Sequence, residues 1–203
     1  MRKVIVSEFV TLDGVMESPD KWSIQFWNEE AAKFKFDELF ASDTLLLGRV
    51  TYQLFAGAWS TMTDEDNLKD IKDAGGDIEA LDIDNDNKNP FSDRMNSIAK
   101  YVVSTTLEEV EWNNSKLIKG NIKEEITKLK QQSGQDILVE GSALLVDSLM
   151  QLDLIDEYRL MVFPIVLGSG KRLFKDTSDK KVLKLEDVKS FRSGVVVLTY
   201  KSL

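Results

Sequence analysis

Two stretches of this chain share a pattern that narrows the fold more than any other feature. Residues 44–48 read TLLLG and residues 137–141 read ILVEG, each a short apolar run that stops at glycine before a helix-like pattern begins. A strand that is apolar at successive positions is buried on both faces, as happens in a parallel sheet covered by its own crossover helices. An antiparallel sheet with one wet face would alternate instead.

The remaining segments fit that frame. VIVSEFV at 4–10 is a β-branched strand, and TLDG at 11–14 is a turn. Ala31, Phe34, Leu39 and Phe40 recur at helical spacing over 28–40, with Asn28 as N-cap. Residues 50–55 and 90–99 read as helices, 101–105 as a strand and 116–120 as a brief extended piece. Ile122, Ile126 and Leu129 mark a helix ended by Gly134, and Leu144, Leu145, Leu149 and Leu152 line a face of the next. Residues 157–166, 182–188 and 194–200 read as strands, the last two joined by a turn near 192–194. The expected fold is α/β in three layers, a mainly parallel central sheet between helices with an antiparallel C-terminal edge. No linker or repeat divides the chain, so residues 1–203 are expected to form a single domain. The acidic stretch at 64–89 is expected to be a surface insertion. Its DNDN run lacks the glycine and terminal glutamate of a calcium loop.

Composition removes several chemistries. The sequence has no cysteine and no histidine, which excludes thiol nucleophiles, zinc-thiolate sites and imidazole bases. Acid–base work falls to carboxylates, Lys, Tyr or water, and no metal-ligand set is evident. A net charge of -9 argues against a nucleic-acid partner, while leaving room for a small anion held by local amides. No apolar run approaches the roughly 18 residues of a membrane span, and MRKVIVSEFV lacks a cleavage site, so the expectation is a cytoplasmic protein away from membranes.

Ligands of an open parallel sheet bind beyond the carboxyl ends of its strands. Gly141 and Ser142, with the first-turn amides of Ala143 and Leu144, suit a pyrophosphate there; a plain helix N-cap is the competing reading. Gly48, Arg49 and Thr51 form a second junction with a cation for an anion. Ser104, Thr105 and Thr106 end a third strand with hydroxyls suited to a ribose 2′-phosphate, or to a turn. LGSGKRLF at 167–174 lacks P-loop spacing and reads as an anion concavity or a tight turn. Asp13, Glu29 and Glu30 are the acids available to a reduction, Asp13 first, with turn formation as its other role. Trp22, Phe26 and Trp27 would wall a flat heterocycle or fill a core.

TLDG at 11–14, LLLGRVTY at 45–52, residues 89–107, residues 137–174 and GVVVLTY at 194–200 together resemble the dihydrofolate-reductase-like fold. They are most similar to the reductase domain of the bifunctional riboflavin-biosynthesis deaminase-reductase and its stand-alone relatives. The resemblance spans nearly everything except 64–88. It implies an NADPH-binding reductase transferring hydride to a carbonyl or imine of a small heterocycle, as in 5-amino-6-(5-phosphoribosylamino)uracil reductase. It also implies that Gly48–Thr51 meet the cofactor phosphates, Ser104–Thr106 the 2′-phosphate and Gly141–Ala143 the pyrophosphate. Asp13 would sit near nicotinamide and substrate, with the strand carrying Leu160 and Val162 facing the same pocket. Exposed sheet edges in such folds are often covered by a second subunit, so a homodimer is expected. Two departures bear on substrate. TYQLFAGAW at 51–59 stands where the riboflavin enzymes carry an acidic-proline segment, and Ala32 stands where dihydrofolate reductases hold the pterin with a carboxylate. Dihydrofolate reduction, and nucleotide binding without turnover, are the alternative readings.

Overall fold

The computed structural model describes residues 1–60, 90–175 and 180–203, so the acidic stretch at 64–89 lies outside the described residues. The strands are β1 (Val4–Thr11), β2 (Ser42–Gly48), β3 (Ala99–Val103), β4 (Ser115–Ile118), β5 (Asp136–Val139), β6 (Glu157–Phe163), β7 (Leu183–Ser190) and β8 (Val196–Ser202). The helices are α1 (Glu29–Phe40), α2 (Arg49–Trp59), α3 (Pro90–Ser97), α4 (Ile122–Gln131) and α5 (Ala143–Gln151). The strands form one sheet in the order β4-β3-β2-β5-β1-β6-β8-β7. β1 to β6 pair in parallel, and β8 and β7 complete the sheet antiparallel. This is the α/β architecture expected.

The unbroken apolar runs follow from burial on both faces. Ile5, Leu45, Leu47 and Leu138 pack against Leu39, Tyr52 and Met95 from α1, α2 and α3. Their neighbours Val4, Val6, Leu46, Ile137 and Val139 pack against Ile126 and Leu129 of α4 and Leu145, Val146 and Leu149 of α5. A third cluster, around Trp22, Met161 and Phe163, closes the α1 side of β1, β6 and β8. Gly194, at φ +87, lies in the turn from β7 to β8, where its N–H donates a hydrogen bond to the Phe191 carbonyl at 2.9 Å.

Several boundaries differ from expectation. The strand placed at 101–105 is β3, which begins at Ala99, where its pairing with Thr44 of β2 starts, and it carries a fully buried Lys100. Its ammonium donates to the carbonyls of Asn96, Ile98 and Asn113 and lies 4.1 Å from the Trp112 ring centre, so a charged residue is accommodated at a buried strand position. β6 stops at Phe163, before Pro164, which has no amide to continue the ladder. α2 runs on to Trp59. Leu144 is 67% exposed; the buried face of α5 is Leu145, Val146, Leu149 and Met150.

Candidate functional site

Because β1 to β6 are parallel, their carboxyl ends share one edge of the sheet, and the predicted junctions gather there. β2 and β5 are neighbours, and their glycines interlock: the Gly48 amide donates to the Gly141 carbonyl at 2.9 Å. A Cβ on Gly48 would lie 2.6 Å from Ser142 Oγ and 3.0 Å from Ser142 N. Gly141 adopts φ +88, and a Cβ there would meet Thr51 Oγ1 at 2.8 Å. The Gly141–Ser142 peptide is cis. Gly48 is therefore required by the close approach of Ser142, and Gly141 by its positive φ and by the Thr51 side chain.

This contact brings the N-termini of α2 and α5 together, and they differ from those of α1 and α4. Asn28 caps α1 by accepting from the Ala31 amide, and Asn121 caps α4 by accepting from Glu124. Each of those helices also has two glutamates in its first turn, Glu29 and Glu30 or Glu124 and Glu125. α2 and α5 have no side-chain cap and no acidic residue in the first turn. Ser142, at the N-cap of α5, lies over Gly48 instead of capping. Unpaired amides and two partial positive charges thus meet at one point, a field suited to an anion. Arg49 opens α2 exposed beside it, and no ion pair among the described residues engages its guanidinium.

Other predicted residues are placed differently. Ser104 is buried, and its Oγ accepts from the amides of Thr106 at 3.1 Å and Leu107 at 3.0 Å, so it closes its own turn; Thr105 and Thr106 are exposed. The Asp13 carboxylate accepts from Thr11 Oγ1 at 2.6 Å and the Gly168 amide at 2.8 Å. The Thr11 hydroxyl first, then the Gly168 amide, pull it down to about 2, which keeps Asp13 ionised and unsuited to give up a proton. It ties the TLDG turn to the glycine turn at 167–170, the turn-forming role that stood beside that of an acid. Glu30 accepts from the Arg192 amide at 2.7 Å and so ties α1 to the β7–β8 turn.

The four expected pocket residues divide between the two faces of the sheet. Trp22 is 4% exposed, meets the Phe163 ring edge-on at 5.3 Å, and is core; Trp27 is half-buried against Phe9. Leu160 and Val162 lie on the opposite face, toward α5. There a recess of about 240 Å³ is lined by Val10, Asp13, Gly14, Leu160, Leu173 and Phe174, with Arg172.

Sequence reasoning missed a buried charge network beside the glycine junction. Lys35 of α1 donates to Ser7 Oγ and Glu38 Oε2, both at 3.0 Å, and pairs with Glu140 at the end of β5. Arg159 of β6 joins Glu38 and Glu157. Glu8 of β1 stands at its margin, 6% exposed. Glu8 and Glu140 flag themselves in the sequence only as charges inside apolar runs.

Over residues 2–199 the sequence matches the family described as the RibD C-terminal domain. The chain belongs to that family. This RibD C-terminal domain is 33% identical to the Bacillus subtilis (strain 168) protein YyaP over 98% of its own length and 94% of that protein. Its fold is similar to that of a protein assigned to riboflavin biosynthesis from Shewanella sp. PV-4, at TM-score 0.70 and 22% identity, covering 99% of each chain. It is similar again to dihydrofolate reductase from Enterococcus faecalis complexed with NADP(H), at TM-score 0.55 and 12% identity, covering 98% of this chain and 96% of that one. The family is one of reductase-type enzymes, and no described helix of this member is long and apolar enough to cross a membrane. The interlocked glycines and uncapped helix ends are a cradle that fits the phosphates of a dinucleotide.

Proposed function

We propose that this RibD C-terminal domain is an NADPH-dependent reductase acting on a carbonyl or imine of a small heterocycle, of the kind met in riboflavin biosynthesis. The observation that carries the reading is the meeting of two uncapped helix N-termini at Gly48 and Ser142, in a protein whose α1 and α4 are both capped and acidic. Amide donors there hold the pyrophosphate, and Arg49 supplies the cation for a further phosphate. The nicotinamide end would pass Gly141 toward the recess beside Leu160. Bound there, reduced nicotinamide supplies a hydride, and the protein's part is to align it and exclude water.

Titration of NADPH against intrinsic tryptophan fluorescence tests the reading. Saturable binding is expected, and Arg49→Ala should weaken it by about tenfold, the scale of one charge-assisted hydrogen bond. No binding by the unmodified protein removes the reductase reading; unchanged affinity in the variant removes Arg49 from the site.

A further inference from the structure

Glu8 has no counterpart on its face of β1. Val4, Val6 and Val10 share that face and enter the core under α4 and α5, yet Glu8 carries a carboxyl group there. Its Oε1 is buried and without a hydrogen-bond partner. The carboxylates of the adjoining network each have a cation: Glu38 has Lys35 and Arg159, Glu140 has Lys35, and Glu157 has Lys3 and Arg159. Ionised Glu8 would therefore add an uncompensated buried charge. Burial, and after it the charge of Glu140 with a smaller part from Glu38, push the Glu8 carboxyl well above its ordinary range; Lys35 and the Gly141 amide offset this only in part. Thr51 of α2 and Leu160 of β6 bring no charge, and Arg172 and Asp13 both line the recess. Burial without a cation of its own thus favours the protonated form of Glu8.

Its position gives that acid a use. A Cβ on Gly141 would lie 3.8 Å from Glu8 Oε1, so the acid sits directly beneath the glycine junction. Leu160, its register partner on β6, and Val10, the next residue on its face, both line the recess. The junction thus offers amides above, for anionic phosphates, and a protonated acid below, beside the residues that line the recess.

We propose that Glu8 is the catalytic acid of this site, giving the proton that accompanies hydride transfer to the substrate. The proposal rests on the nucleotide reading above. The substrate is a C=N or C=O compound and the reductant is the dihydronicotinamide. Hydride adds to the substrate carbon, the π pair of the double bond moves onto nitrogen or oxygen, and that atom takes the proton as the Glu8 O–H bond breaks. The substrate is reduced by two electrons and the nicotinamide oxidised. Glu8 would give up its proton as a bound dihydronicotinamide gave up its hydride, so that the carboxylate left behind would face a cationic ring and the buried site would gain no net charge. Water then reprotonates Glu8 once the oxidised cofactor leaves.

Proton linkage tests this without any substrate. Calorimetric titrations of NADP⁺ and of NADPH, each in two buffers of different ionisation enthalpy, give the protons released on binding. The wild-type protein should release about one proton with NADP⁺ and none with NADPH, and NADP⁺ should bind up to about tenfold tighter per pH unit across the neutral range. Phosphate protonation cancels between the two nucleotides. Glu8→Gln should keep its NADPH affinity and lose both the proton release and the pH dependence. Binding of both nucleotides with no difference in proton release overturns the role of Glu8 and leaves the reductase reading standing; no binding of either removes both. Should Glu8→Gln fail to fold, infrared difference spectra of ¹³C-glutamate-labelled wild-type protein decide. Loss of a protonated-carboxyl band on adding NADP⁺ supports the assignment, and its persistence refutes it.

Discussion

Gly48 and Gly141 are the residues on which the site depends, and they show what a sequence can and cannot say. Each was visible as punctuation after an apolar run. That the two touch was not visible, because their contact depends on β2 lying beside β5. Gly48 has an ordinary φ of -77, so its need for glycine comes from Ser142 alone. Gly48→Ala should cost about 1–3 kcal/mol by overpacking, read from chemical denaturation, and should weaken NADPH binding as the junction opens. Adding Ser142→Gly removes the Oγ contact and should restore part of the stability; a single variant as stable as wild type would show that the junction yields freely. Ser104 teaches the opposite lesson. A run of hydroxyls at a strand end looks the same whether it awaits a ligand or closes its own turn, and here the buried Oγ is already used.

At the scale of elements, the sheet was legible and the helix faces less so. Strands buried on both sides announce themselves by continuous apolar runs. Four leucines at 144, 145, 149 and 152 do not say which of them faces the core, and Leu144 turns outward at the second position of α5. That exposure makes the helix end testable. Leu144→Glu places a negative charge in a first turn that has none, which should stabilise α5 by about 0.3–1 kcal/mol through the helix dipole. The same charge should repel the dinucleotide phosphates and weaken NADPH binding by about tenfold or more. Thermal unfolding and fluorescence titration on one sample should therefore move in opposite senses. A helix end that serves only structure would gain stability with no change in binding.

Across the whole molecule, one buried network joins β1, α1, β5 and β6 through Ser7, Lys35, Glu38, Glu140 and Arg159. No periodicity exposes it, since its members come from distant segments and each breaks the pattern of its own element. Glu8, at its edge, gives the folded state a distinct response to pH. Its carboxyl titrates in the unfolded chain near 4.5 and well above that when folded. Between those values the native state holds a proton that the unfolded chain has released, so the unfolded state binds fewer protons and stability falls as pH rises. The slope from one such group is at most about 1.4 kcal/mol per pH unit, and it flattens above the folded value, where both states are ionised. Glu8→Gln has no proton to lose. Urea denaturation from mildly acidic to mildly alkaline pH should therefore find the variant gaining on the wild type steadily as pH rises. Parallel curves for the two proteins would mean that Glu8 is already ionised in the fold, and that the buried network tolerates a charge for which no cation has been provided.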